Sequence, residues 1–253
     1  MWNIEIANHG SRIAAMSREQ LDGRSVRDGY LRGCGIQFGN IRKLCAADSV
    51  FARAHGLARS RSNAITDDNL CNLFLLIRFF LPLLTPGHIV EFGTDRGGSA
   101  IFMAVVARAF CPGTKVFAFD SFAGMPETDP QRDVHKKGDF HLASEDDLRL
   151  FASRAGVENL ELVKGLFDET IPTVLPSIGP LRLSHIDCDL YDSVGMSYDG
   201  SKPQMVQGGY IVFDDPLLSS CLGAFEVVER LVIRRDGLHA EQVFPHLVYR
   251  ISV

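Results

Sequence analysis

Four aspartates in two short stretches have the types and spacing that could bind a cation. Asp187 and Asp189 come at the end of one apolar run, and Asp214 and Asp215 come at the end of another. A lone aspartate in such a place is more often a helix cap or a turn residue, but two such groups together favour a metal site. Three carboxylates and water form an oxygen shell that suits Mg²⁺ or Mn²⁺, and neither histidine nor thiol is placed to favour zinc.

A glycine-rich segment, Gly93–Ser99, carries a second possible site. Its glycines would let the backbone approach a ligand, although a purely structural turn is an equal alternative. The spacing fits neither the dinucleotide pattern G-x-G-x-x-G nor a P-loop. The acidic Glu91 before the segment would repel a pyrophosphate and attract a cation, and Asp120 could accept both hydroxyls of a ribose. A positively charged nucleoside is indicated, and S-adenosylmethionine fits that description.

Alternating strands and helices must position these residues. Five strands are predicted, each ending near a candidate residue or in a short loop: His88–Phe92, Lys115–Asp120, Leu160–Lys164, Leu183–Asp187 and Tyr210–Asp214. Helices are predicted between them, at Ser99–Phe110, Ser144–Ala155 and Leu222–Arg235. This alternation indicates an α/β fold with a mostly parallel sheet, whose strands end at one common rim. Two further strands, Glu241–Phe244 and Leu247–Val253, are close enough to form an antiparallel hairpin at the sheet edge.

The N-terminal part of the chain has a different character. The first 65 or so residues are rich in arginine and poorly patterned, and Thr66 is a possible N-cap for the apolar stretch Leu70–Leu84. That stretch is too short and too interrupted to span a membrane, so a buried helix is predicted. We therefore expect a helical segment at residues 1–85, acting as a lid or an oligomerisation surface, and a core at residues 86–253.

The composition excludes several classes of protein. With 253 residues, 46% of them apolar, the chain is long enough for a large buried core. Its 26 basic and 31 acidic residues leave a net charge of -5, which argues against nucleic-acid binding. Six scattered cysteines without a C-x-x-C pair or a signal peptide indicate reduced thiols in a cytoplasmic protein.

Several motifs together resemble the macrocin-type sugar O-methyltransferases. They are VEFGTDRGGSA, FDSFAGMPETD, the H-x-x-GDF stretch at His135–Phe140, GLFDETIP, HIDCDLYDS and GGYIVFDD, in order between about Ile89 and Gly223. The resemblance implies a class I, Rossmann-like methyltransferase fold with a seven-stranded sheet and an antiparallel C-terminal edge. It also implies S-adenosylmethionine as donor, a divalent cation, usually magnesium, and a sugar or glycoside hydroxyl as acceptor. We further expect a homo-oligomer without membrane or nucleic-acid partners.

The resemblance also implies roles for individual residues. Asp187, Asp214 and Asp215 match the metal-binding aspartates, and Asp189 matches the proposed general base. His135, on the loop Asp129–His141, is a second candidate for a catalytic role. The positions expected to bind the donor are Glu91, Gly93, Thr94, Gly98, Ser99, Asp120, Ser121, Gly165, Phe167 and Asp168.

Three other functions are compatible with parts of the pattern. A nicotinamide-dependent oxidoreductase would leave the aspartates unexplained, and a non-catalytic nucleoside-binding protein would not need all four of them. A catechol-type O-methyltransferase would use similar metal chemistry and differs only in the family motifs. The acceptor itself is not indicated by any residue pattern.

Overall fold

A computed structural model of the protein describes residues 19–20, 24–25, 41–62, 64–141, 144–243 and 245–251. The chain divides into two compact units, Met1–Ala52 and Arg53–Val253. In the first unit β1 (Glu19–Gln20) pairs antiparallel with β2 (Arg24–Ser25), and α1 covers Ile41–Ala47. Most of the arginine-rich segment lies outside the described residues, so the boundary near residue 85 stays a prediction.

The apolar stretch after Thr66 forms an interrupted helix. After α2 (Ser49–Arg61), α3 spans Asp67–Leu75 and continues as a π-helical turn, Leu76–Phe80, and a 3₁₀ turn, Leu81–Leu83. Leu70 and Leu73 are fully buried, but Phe79 is 53% exposed and Leu83 80% exposed. Most residues of the stretch are therefore buried up to Ile77, and between residues 78 and 84 only Leu81 is buried. Within the described ranges no helix is long and apolar enough to cross a membrane.

A seven-stranded sheet forms the centre of the second unit. Its strands are β3 (His88–Phe92), β4 (Val116–Asp120), β5 (Leu160–Lys164), β6 (Leu181–Ile186), β7 (Met205–Phe213), β8 (Ala240–Gln242) and β9 (Leu247–Arg250). The order is β5-β4-β3-β6-β7-β9-β8, and β3 to β7 are parallel. β9 runs antiparallel to β7, and β8 runs antiparallel to β9. The predicted mostly parallel sheet with an antiparallel C-terminal hairpin is confirmed. The ends of that prediction, Phe244, Ser252 and Val253, lie outside the described residues.

A helix follows each of the five parallel strands. They are α4 (Gly98–Phe110), α5 (Glu145–Arg154), α6 (Phe167–Ile178), α7 (Tyr191–Ser201) and α8 (Leu222–Val227), which continues as a π-helical segment over Val228–Arg235. Every residue of α4 from Gly98 to Ala107 is buried. A hydrophobic cluster that includes Phe92, Tyr198 and Phe213 joins the sheet to α6, α7 and α8. The sheet is thus a rigid base for the loops at its carboxyl rim.

Strand β7 begins earlier than predicted. The strand was predicted at Tyr210–Asp214, but it begins at Met205 and includes Gly208 and Gly209. Gly208 has φ +78°, and the pairing of β6 with β7 shifts register between Leu181 and Leu183. The two glycines therefore lie within the strand, at a β-bulge.

Candidate functional site

The site lies where the order of the strands reverses. From β3 the chain proceeds to β4 and β5 on one side and then returns to β6 on the other side of β3. Ligands of open α/β sheets bind outside the carboxyl ends of the strands at such a point. Gly93 has φ +86°, and a Cβ atom there would lie 1.7 Å from the carbonyl oxygen of Asp187. Only glycine fits, because the turn after β3 passes against the turn after β6.

A cavity of about 690 Å³ opens at this point. Its volume is in the usual range for small-molecule sites. Nine of the ten residues expected to bind the donor line it: Gly93, Thr94, Gly98, Ser99, Asp120, Ser121, Gly165, Phe167 and Asp168. Asp187 and Asp189 line the same cavity. The structure therefore brings the glycine-rich segment and the first aspartate pair together around one space.

Glu91 is the tenth of these residues, and its placement differs from the expectation. The side chain has no exposed surface and does not line the cavity. One carboxylate oxygen accepts from the Thr94 hydroxyl at 3.1 Å, and the other lies 3.0 Å from Nδ1 of His185. The expected direct attraction of a cationic ligand is corrected accordingly, since Glu91 supports the glycine turn from behind.

Asp120 lines the cavity but already accepts several hydrogen bonds. Its Oδ2 atom accepts from the backbone N–H groups of Thr94 and Asp95, and Oδ1 accepts from that of Phe122. A carboxylate has about four acceptor positions, so roughly one remains for a ligand. This leaves room for a bond to one ribose hydroxyl rather than both.

Three carboxylates form the candidate metal centre. One oxygen from each of Asp187, Asp214 and Asp215 lies within 4.8 Å of the others. Burial, and then the nearby charges of Asp214 and Asp215, raise the pKa of Asp187 well above its ordinary value. Burial similarly raises the pKa of Asp215. Asp187 lines the cavity, and within the described ranges no hydrogen bond reaches its carboxylate. A divalent cation fits here, because it would offset the repulsion and satisfy these oxygens.

Asp214 is held by residues that sequence reasoning missed. Its Oδ1 atom accepts from Nδ2 of Asn69 at 2.6 Å and bonds Nε2 of His246 at 2.7 Å. Burial alone would raise the pKa of Asp214, but His185 and His246 lower it well below its ordinary value. Asn69 and His246 lie 145 and 32 residues away in sequence, so no local spacing indicated them.

Asp189 lies beside the candidate metal centre in a constrained backbone conformation. Its φ is +58°, and its backbone N–H donates to Oδ2 of Asp215 at 2.8 Å. The thiol of Cys221 donates to its Oδ1 at 3.1 Å, and Nε2 of His135 lies 3.8 Å from the same oxygen. Burial raises the pKa of Asp189. The sequence placed neither histidine nor thiol where it would favour zinc, but the structure brings His135 and Cys221 to Asp189.

The loop Asp129–His141 is attached to the rim of the cavity. The carboxylate of Asp133 accepts from the backbone N–H of Tyr191 at the start of α7, and Arg132 lies 4.0 Å from the centre of the Tyr191 ring. Asp133 and Phe140 line the cavity, whereas His135 does not. The loop therefore forms part of the cavity wall.

Comparisons with known proteins agree with this geometry. Residues 70–230 match the family model described as macrocin O-methyltransferase (TylF). The chain is 30% identical over 165 residues to the 8-demethyl-8-(2,3-dimethoxy-alpha-L-rhamnosyl)-tetracenomycin-C 4'-O-methyltransferase of Streptomyces olivaceus, covering 61% of this chain and 62% of that protein. It is 29% identical over 173 residues to the demethyldecarbamoylnovobiocin O-methyltransferase of Streptomyces niveus, covering 61% and 65%.

A solved structure shows the same fold. The O-methyltransferase NovP superposes with a TM-score of 0.68 at 19% identity, covering 84% of this chain and all of that one. The sequence matches to the two curated relatives span less than two thirds of the length of either. The family model, by contrast, covers well over half of the present chain, including β3 to β7 and every aspartate discussed above. The chain therefore belongs to the macrocin O-methyltransferase family.

Proposed function

We propose that the protein transfers the methyl group of S-adenosylmethionine to a hydroxyl of a sugar or glycoside, with Mg²⁺ or Mn²⁺ bound at the rim. One observation carries the proposal: a single cavity joins nine expected donor-binding positions to an aspartate of a three-carboxylate cluster. The name of the Streptomyces olivaceus relative, which places a rhamnosyl group on its substrate, supports a sugar acceptor.

The glycine turn and the ends of β4 and β5 bind the donor in this proposal. When bound, S-adenosylmethionine supplies a methyl group on a positively charged sulfur, and the carbon–sulfur bond breaks as the acceptor oxygen bonds to the carbon. Gly93 and Gly98 allow the backbone to approach closely, and the remaining acceptor position of Asp120 takes a ribose hydroxyl. Leu166 and Phe167 give the cavity an apolar wall on which a base could pack.

In this proposal the acceptor hydroxyl is bound and deprotonated at the end of the cavity that lies beside the aspartates. Asp187, Asp214 and Asp215 would hold the divalent cation, which would supply a positive charge that lowers the pKa of the acceptor hydroxyl. Asp189, beside these ligands and on the cavity wall, takes the proton. The Asp129–His141 loop binds the acceptor through Asp133 and Phe140, and His135 orients Asp189.

We also propose that the N-terminal segment, residues 1–85, acts as a lid or subunit contact in a cytoplasmic homo-oligomer. Support comes from its last part, because Ser62, Ala64 and Ile65 line the cavity. The guanidinium of Arg61 donates to the carbonyl of Arg96 at 2.8 Å, which ties α2 to the glycine turn. Arg61, Ser62, Ala64 and Ile65 therefore lie on the donor side of the site.

A panel of acceptors tests the proposed function. Protein, Mg²⁺ and S-adenosylmethionine carrying a labelled methyl group are incubated with deoxysugar glycosides, with catechols, and without acceptor. We expect label on a glycoside hydroxyl, detected by mass spectrometry, and little label on the catechols. Label on catechols alone would replace the sugar acceptor by a phenol. Binding of NADH in place of S-adenosylmethionine, measured by calorimetry, would contradict methyl transfer itself.

A further inference from the structure

We propose that His246 is a positioning residue for Asp214. Two series of hydrogen bonds end at one oxygen of this carboxylate. The other oxygen is left for the divalent cation. The inference rests on the metal-binding part of the proposed function. It assigns a role to the C-terminal hairpin and to α3, which lie outside the rim loops.

The first series of hydrogen bonds runs through the C-terminal hairpin. Nε2 of Gln242 donates to Oδ1 of Asn72 at 2.9 Å. This bond orients the Asn72 amide so that its Nδ2 atom lies 2.9 Å from Nδ1 of His246. Because Nδ2 can only donate, Nδ1 of His246 accepts. The proton of the neutral ring is then on Nε2, which donates to Oδ1 of Asp214 at 2.7 Å.

The second series of hydrogen bonds begins at the N-terminus of α3. The hydroxyl of Thr66 donates to Oδ1 of Asn69 at 2.7 Å, so the amide nitrogen of Asn69 faces the other way. That nitrogen donates to Oδ1 of Asp214 at 2.6 Å. The helix cap thereby orients the amide that holds the carboxylate.

Both acceptor positions of Oδ1 are filled by these two donors. In the part of the chain that the structure describes, no hydrogen bond reaches Oδ2 of Asp214. We infer that Asp214 binds the cation through Oδ2 alone, with its orientation set by Asn69 and His246. Hydrogen-bonding partners of this kind fix the orientation of metal ligands in many proteins.

The same hydrogen bonds argue against a second metal site nearby. His185, Asp214 and His246 lie close enough together to hold an ion. Both ring nitrogens of His246 are already used, however, since Nδ1 accepts from Asn72 and Nε2 carries the proton. His246 therefore has no free lone pair for a metal, and its role is to orient Asp214.

Mn²⁺ binding to the purified full-length protein tests the inference, measured by calorimetry and by electron paramagnetic resonance. His246→Leu is expected to weaken Mn²⁺ binding by about 10- to 100-fold. His246→Gln, whose amide can donate from the position of Nε2, is expected to recover most of the affinity. His239→Leu, at an exposed histidine just before the same hairpin, is the control and should bind Mn²⁺ like the wild type.

Further measurements separate positioning from misfolding. S-adenosylmethionine binding should be unchanged in each variant, and methyl transfer by His246→Leu should recover at saturating Mn²⁺. If His246→Leu does not fold, His246→Gln is compared with His246→Asn, whose shorter amide does not reach Asp214 and should bind Mn²⁺ more weakly.

Two results would overturn the inference. Wild-type affinity in His246→Leu, or equal affinities in the Gln and Asn variants, would remove the positioning role and leave the proposed function intact. A wild-type protein that transfers methyl groups yet binds no Mn²⁺ would overturn both this role and the metal part of the proposed function.

Discussion

Replacing Asp187 with alanine is expected to lower methyl transfer by about a thousandfold without unfolding the protein. A bound metal contributes several kcal/mol to such a reaction, and each 1.36 kcal/mol is a factor of ten in rate, so loss of its ligand gives roughly this effect. Asp187 lines the cavity, and none of the described residues donates a hydrogen bond to its carboxylate. The substitution therefore removes a proposed cation ligand without breaking a hydrogen bond to a described residue.

The stability of the metal-free variant provides a second readout. Burial and neighbouring carboxylates disfavour the charge of Asp187, so Asp187→Ala and the isosteric Asp187→Asn should melt no earlier than the metal-free wild type. Thermal melting, S-adenosylmethionine binding and methyl transfer are measured on the same preparations. An active Asp187→Ala protein would exclude Asp187 as a necessary ligand.

Replacing Asp189 with asparagine should lower kcat by about 10²- to 10⁴-fold, the usual contribution of a general base. The carboxamide keeps the shape of the side chain but cannot take the acceptor proton. The backbone N–H that donates to Asp215 remains, so the metal centre should keep its geometry. Mn²⁺ and S-adenosylmethionine binding should therefore be close to wild type.

Asp199→Asn is the matched control for this substitution. Asp199 lies on α7 and pairs with Arg235 on the surface, away from the cavity, so its loss should change activity little. Near-normal turnover by Asp189→Asn would assign the proton to another acceptor. A loss of Mn²⁺ binding equal to the loss of kcat would make Asp189 a ligand instead of a base.

The sequence indicated the sheet and most of the cavity because both depend on local patterns. Short apolar runs ending in glycine or aspartate marked β3, β4, β6 and β7, and parallel strands necessarily end at the same rim. The placement of Asp187 beside the glycine turn follows from that rule. Helix α6 was harder to predict, because Pro172 and Pro176 lie inside it.

The surroundings of the aspartates could not be predicted in the same way. Asn69 and His246 contact Asp214, and Asn72 contacts His246, because α3 and the C-terminal hairpin pack on the same strand end. No pattern within one segment encodes such contacts. Glu91 shows the opposite error: an acid at the end of a strand indicated a ligand, but the structure surrounds it with His185 and Thr94.

Dependence of methyl transfer on a divalent cation shows whether the three aspartates form a functional metal centre. Protein freed of metal by chelation and dialysis is mixed with S-adenosylmethionine carrying a labelled methyl group and with a glycoside that the acceptor panel has identified. Label transfer is then measured before and after addition of Mg²⁺, together with donor binding. We expect donor binding in both conditions and label transfer only after Mg²⁺ is added; full transfer by the metal-free protein would contradict the account.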